Sequence, residues 1–272
     1  GELPVIHKTY TDFIEAIEQM ENACKLPVAI AGALMPDAHV GYGLPIGGVL
    51  ATDNAVIPYA VGVDIACRMK LSVLDMEVSE LIDRRTEITS VIEWETQFGM
   101  GASFNKPREH EVMHDPAWEE IPLLKGLKNK ALKQLGTSGG GNHFVEFGLL
   151  TVLTDDLGIA PGRYVAILSH SGSRGTGEQV AKHYSTMAMK LHPELPDRLQ
   201  HLAWLDLDSE EGREYWRAME LMGRYASANH KLIHEYVVKG LGVKVLAGVE
   251  NHHNFAWKEE HGGREVIVHR KG

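Results

Sequence analysis

The residues best suited to chemistry stand at the ends of apolar runs. VGVDIACRM (61–69) sets Asp64 and Cys67 three positions apart. A carboxylate in so apolar a stretch is expensive to bury without a partner. Two readings stand: a turn aspartate beside a core cysteine, or a pair presenting carboxylate and thiolate to a metal. GTSGGGNHFVEF (136–147) delivers Asn142, His143 and Glu146 at the start of a strand, behind a glycine loop that permits close backbone approach. It is not a P-loop, because no lysine and hydroxyl residue follow the second glycine and the next element is a strand. In a regular strand His143 and Glu146 face opposite sides, so the two serve different purposes. LSHSGSRGTGEQV (168–180) is the stronger anion candidate. A strand ends at His170, Arg174 follows, and a helix opening near Gly177 adds backbone N–H groups. ENHHNFAW (250–257) places His252 and His253 between asparagines, and only one of them can point to a given site. PDAHVGYGLPIGG (36–48) adds Asp37 and His39 in a glycine-rich turn.

One aspartate, one cysteine and three histidines near loop ends would suit a pair of divalent cations. Ligand softness alone puts zinc first. Cations would also answer a charge problem. The formal charge is −10, from 37 acidic and 27 basic residues, which argues against nonspecific polyanion binding through a broad basic surface. A phosphate-bearing substrate therefore needs a local arginine or bound metal. With only Cys24 and Cys67 there is no disulfide framework, and the default compartment is a reducing cytoplasm. No apolar run approaches the ~20 residues that span a bilayer.

These groups must be positioned by short β-like runs at 28–34, 47–52, 55–63, 69–76, 143–150, 163–170, 243–249 and 264–270. Helices are expected at 11–24 (capped by Thr11, with Ile14, Ile17 and Met20 inward), about 79–97, 117–134 and 209–239, the last stopped by Gly240 and Gly242. There is no βαβ rhythm, tandem repeat or low-complexity linker. The expected class is α+β, a single mixed domain over 1–272 with β-sheets flanked by helices.

Five segments in order, MPDAHVGYGLPIGG, VGVDIACRM, GTSGGGNHFVEFG, LSHSGSRGTG and ENHHNFAWKEEHGG, resemble the RtcB-type RNA-splicing ligases. The resemblance runs from about Cys24 to the last residue. It implies a GTP- and manganese-dependent ligase that joins an RNA 3′-phosphate or 2′,3′-cyclic phosphate to a 5′-hydroxyl through a guanylylated histidine. By motif, Cys67 would bridge two Mn²⁺ ions, Asp64 and His143 completing one site and His170 and His253 the other. Asn142 would contact the GTP phosphates, Glu146 would lie in the guanylate pocket, Arg174 would hold a phosphate, and Asp37 would stand near the reacting phosphate. Manganese here comes from the resemblance and overrides the softness argument. Archease is an implied partner.

Two departures from the pattern matter. Ala66 stands where glycine is usual, a change expected to be mild. The chain also ends at HRKG, directly after an apolar strand, whereas the family continues to a Ser-His-Gly-Ala-Gly-Arg motif carrying the guanylylated histidine. The expectation is a C-terminally truncated chain that keeps the metal ligands and part of the GTP site and forms no protein–GMP adduct. Two other classes use the same ligands: a metal-dependent phosphohydrolase or phosphodiesterase with an activated water, and a noncatalytic metal-binding remnant.

Overall fold

The β-like runs pair antiparallel throughout. The computed structural model describes residues 4–155 and 157–272. In chain order its elements are α1 (Pro4–Cys24), β1 (Ala29–His39), β2 (Ile46–Thr52), β3 (Ala55–Val56), α2 (Pro58–Val61), β4 (Arg68–Leu74), α3 (Glu80–Asp83), α4 (Arg85–Glu95), α5 (Ala117–Glu120), α6 (Pro122–Gln134), β5 (Phe144–Val152), β6 (Gly162–Ser171), α7 (Arg174–Leu191), β7 (Leu205–Asp206), α8 (Glu210–Leu241), β8 (Val245–His252), β9 (Asn254–His261) and β10 (Arg264–Lys271). Short 3-10 turns occupy Glu111–His114 and Asp197–Leu202. Helices beside antiparallel sheets make the class α+β.

The chain falls into two compact units. Among the described residues, one comprises 4–65, 177–220 and 253–272, the other 66–155, 157–176 and 221–252. In the first, a sheet of order β1-β2-β10-β9 packs with α1 around Met20, Leu26, Leu44, Leu50, Ile57 and Leu202. Helix α1 begins at Pro4, so Thr11 lies inside it and is not its cap; proline's fixed φ suits a first helical turn. Its inward stripe is Ala16, Met20 and Ala23, while Ile14 is 40% exposed. The stripe is set by Gly32 of β1, where a Cβ would come within 2.3 Å of Met20 Cε.

The second unit holds a sheet of order β5-β6-β4-β8. Its core joins Leu74, Val165 and Ile167 to Ile233, Val237 and Leu241 of α8 and Ile88 of α4. Gly240 does not stop α8. A Cβ there would meet Val91 Cγ1 at 2.8 Å, so this glycine serves the close approach of α4. Gly242, at φ +69°, ends the helix instead.

Other boundaries moved for local reasons. The run 55–63 is strand only at Ala55–Val56, because Pro58 opens a four-residue helix. The helix expected over 79–97 breaks at Arg84, and that over 117–134 breaks at Ile121, held extended by Pro122. Strand β9 was not anticipated.

Candidate metal centre

Antiparallel pairing brings the starts of β4 and β5 to the ends of β6 and β8. Arg68 pairs with both Ser171 and His252, and His170 pairs with both Met69 and Phe144. Cys67 and His143 each sit one residue before their strands, so both arrive beside His170. The Cys67 thiol is 3% exposed, with Sγ 3.0 Å from His170 Nε2 and 3.5 Å from His143 Nε2. The two imidazole rings meet edge to face at 5.3 Å.

The turn into β4 is a tight one. Ala66 is fully buried at φ +59°, the left-handed region that favours glycine. The exchange of glycine for alanine here is therefore strained, not mild.

The other ring nitrogens decide the tautomers. His170 Nδ1 lies 3.0 Å from the Asn142 carbonyl oxygen, which only accepts, so Nδ1 carries the proton and the Nε2 lone pair faces the sulfur. That is a metal-ready histidine held by a backbone carbonyl. His143 is the opposite. Arg174 Nη1 donates to its Nδ1 at 3.1 Å, so in the neutral ring the proton sits on Nε2. A cation at His143 Nε2 requires that proton to leave and Arg174 to release Nδ1.

Arg174 is itself built in. It is 8% exposed, opens α7 at φ +59°, and its Nε donates to Thr137 Oγ1 at 3.2 Å. Its guanidinium lies on Gly139, where a Cβ would fall 2.0 Å from Nη2, so only glycine fits. The helix expected near Gly177 starts three residues earlier, on Arg174.

Asn229 of α8 was missed from the sequence and ties these loops together. It is fully buried; its Oδ1 accepts from Gly136 N at 2.7 Å, and its Nδ2 donates to Thr137 O at 3.0 Å and Ser171 Oγ at 3.3 Å. Ser171 Oγ in turn donates to Ser138 O at 2.6 Å. The available signal was a polar residue on the inward stripe between Ala226 and Ile233.

Glu146 is exposed on β5. Pairs Phe144–His170 and Glu146–Leu168 are two residues apart, so Glu146 shares a sheet face with His170. Phe144 touches the His170 ring at 5.7 Å. Asp37 and His39 lie in strand β1 of the first unit, not in a turn, and His39 Nδ1 donates to the Asp37 carbonyl at 3.0 Å. Asp64 and His253 also belong to that unit, where Asn254 Nδ2 donates to the Asp64 carbonyl at 3.3 Å. Chain continuity ties both to Cys67. Asp64 precedes it by three residues, and His253 directly follows His252, the strand partner of Arg68.

The donor set fits a transition-metal ion. Zn–S and Zn–N bonds of about 2.3 and 2.1 Å at a tetrahedral angle place sulfur and nitrogen about 3.6 Å apart. The Cys67–His143 spacing of 3.5 Å matches that edge, and the 3.0 Å to His170 must open by about half an ångström. By ligand softness thiolate and imidazole put zinc first, so the donors by themselves do not point to manganese.

The sequence profile described as tRNA-splicing ligase RtcB matches residues 19–121 and 122–272. The chain is similar to the tRNA-splicing ligase RtcB of Methanococcus maripaludis, with 30% identity over 315 residues, covering 95% of this chain and 65% of that protein. It is 31% identical over 290 residues to the RNA-splicing ligase RtcB of Escherichia coli K12, covering 95% and 68% respectively. For the tRNA-splicing ligase RtcB of Archaeoglobus fulgidus the figures are 32% identity over 316 residues, 95% and 64%. The chain thus spans about two thirds of the length of these curated relatives.

Proposed function

Because the chain belongs to the RtcB family of tRNA-splicing ligases, we propose that it is the metal- and nucleotide-binding part of an RNA ligase. The reaction joins an RNA 3′-phosphate or 2′,3′-cyclic phosphate end to a 5′-hydroxyl end, with GTP as the source of the activating GMP. The observation that carries this reading is the buried Cys67 thiol between two imidazoles, one of which is held by a phosphate-competent arginine. Residues 1–272 are read as one catalytic domain working in the cytoplasm, with archease as a partner.

In this reading Asp64, Cys67 and His143 hold one Mn²⁺, and Cys67, His170 and His253 hold a second. The cations neutralise phosphate charge and so offset the chain's net charge of −10. The remaining groups act by binding and orientation. Arg174 presents a planar fork matched to phosphate oxygens. Because Arg174 Nη1 donates to His143 Nδ1, a cation held at His143 Nε2 would free the guanidinium for phosphate. Asn142 would meet the nucleotide phosphates. The Glu146 carboxylate, on the sheet face beside Phe144 and His170, suits the N–H edge of guanine. Asp37 is assigned a place near the reacting phosphate. In the ligation implied by the resemblance, water would first open a cyclic end to the 3′-phosphate; a histidine would attack the α-phosphorus of GTP and release pyrophosphate; the guanylyl group would pass from that histidine to an oxygen of the 3′-phosphate; and the 5′-hydroxyl oxygen would attack the activated phosphorus, forming the phosphodiester and expelling GMP.

The test is manganese uptake by the purified chain and its Cys67→Ala variant, followed by equilibrium dialysis, with RNA ending in a 3′-phosphate added afterwards. Loss of about tenfold or more in manganese affinity is expected in the variant, with metal-dependent RNA binding lost alongside. Equal manganese binding by both chains would sink the assignment. Opening of a 2′,3′-cyclic phosphate without GTP would favour a phosphohydrolase instead.

A further inference from the structure

Beside the glycine loop lies a segment that carries none of the candidate ligands. Residues 97–101, Gln97-Phe98-Gly99-Met100-Gly101, follow α4 and are clamped to the loop by backbone bonds. Gly99 N donates to Gly139 O at 2.8 Å, and Ser138 N donates to Gln97 O at 2.9 Å. Phe98 and Gly139 also form a parallel bridge. Gly99 and Gly101 take φ of +96° and +75°, which turns the chain outward on both sides of Met100. Met100 is 96% exposed and Phe98 43% exposed. Neither belongs to the unit's apolar core cluster. Two apolar side chains are thus held in water by a fixed backbone, which forgoes the gain of burying them.

Their position gives that exposure a use. A Cβ on Gly140 would lie 3.1 Å from Met100 N and 3.4 Å from Met100 Cγ, while the guanidinium of Arg174 occupies the same space at Gly139. Of two consecutive glycines, one therefore lies under the Arg174 guanidinium and the next against Met100. A guanidinium for phosphate beside a thioether and a phenyl ring for a base face is a recognition pattern for a nucleotide.

We propose that Phe98 and Met100 form the base-stacking face for the terminal nucleotide of the RNA strand whose 3′-phosphate Arg174 holds. The inference rests on the ligase reading above. The RNA end is favoured over GTP because Phe98 and Met100 offer no side-chain hydrogen-bonding group to select a base. Glu146, which can select guanine, stands past His143 on β5. A face that stacks without reading hydrogen bonds accepts whichever base ends the strand.

The test uses the 272-residue chain, Met100→Ala and Phe98→Ala, with manganese and a short RNA ending in 2-aminopurine 3′-phosphate. Fluorescence quenching reads stacking, and titration reads affinity. Each variant is expected to bind this RNA about fivefold or more weakly with reduced quenching. Binding of manganese and of an RNA whose 3′-phosphate end is abasic should match the wild type. Met100→Ala is the cleaner variant, since its side chain is almost wholly in solvent. Unchanged RNA affinity in Met100→Ala, with wild-type binding intact, overturns this inference and leaves the ligase reading standing. A loss confined to GTP binding overturns it too, by moving the stacked base to the cofactor. Failure of the wild type to bind the 3′-phosphate RNA at all, with manganese loaded, would remove both.

Discussion

At the scale of single residues, the site is governed by backbone angles and by which nitrogen carries a proton. Ala66 at φ +59° is a fully buried L-residue in the left-handed region, one position before Cys67. Such a residue costs roughly 1–2 kcal/mol that glycine does not pay, partly offset by glycine's greater unfolded-state freedom. Ala66→Gly is therefore expected to stabilise the chain by about 1 kcal/mol; thermal unfolding measures it, and a fall in midpoint would refute the strain argument. The sequence sets Asp64 and Cys67 three positions apart but not this angle, because φ at position 66 follows from the turn that joins α2 to β4. Histidines 143 and 170 likewise looked equivalent as letters. Their second neighbours, the Arg174 guanidinium and the Asn142 carbonyl, make one a poised ligand and the other a histidine that must first lose an arginine.

At the scale of elements, a single side chain on α8 bonds the loops that carry the candidate ligands. Asn229 satisfies Gly136 N and Thr137 O and contacts Ser171 Oγ, next to His170. Asn229→Ala would strand buried backbone groups, each worth about 1–3 kcal/mol when unsatisfied. The expected result is a loss of about 3 kcal/mol in denaturant unfolding, together with weaker metal binding by the folded variant. A folded variant with unaltered stability would show that the loop keeps its shape without α8. Most elements were legible from periodicity, including α8, β4, β5, β6 and β10. The failures were at proline and glycine positions: Pro58 and Pro122 cut elements that apolar pattern joined, and Gly240 continued one that punctuation would have ended. Strand β9 is hidden in the sequence because Phe255 and Ala256 are buried side by side and the following KEEH is polar, so the segment shows no clean alternation.

At the scale of the whole molecule, buried histidines link stability to pH. His269 is fully buried, accepting from Ile57 N at 2.9 Å and donating to Leu50 O at 3.1 Å, and burial pushes its pKa down to about 4. His230 and His234 share Ser169 Oγ at 2.6 and 2.8 Å, and burial pushes both down to about 3. In the unfolded chain these rings take up protons near pH 6.5, so as pH falls below that value the unfolded state binds more protons than the folded one. Their stabilisation is complete above about pH 6.5 and is lost progressively towards pH 3–4, by up to about 1.4 kcal/mol per pH unit for each ring. Urea unfolding at pH 7 and pH 5 should show a clear drop, reduced in His269→Gln if that residue folds; a flat profile would refute the neutral-histidine core. Among the described residues no helix is long and apolar enough to cross a membrane. From sequence alone came the family, since the order of the five motifs is a covalent fact, as did the α+β class, which follows from periodicities a few residues long. Tertiary structure decided which nitrogen faces the sulfur, that Arg174 sits on His143, and that Phe98 and Met100 flank the glycine loop. Those outcomes depend on partners such as Gly136 and Asn229, 93 positions apart, and no local pattern encodes a contact across that distance.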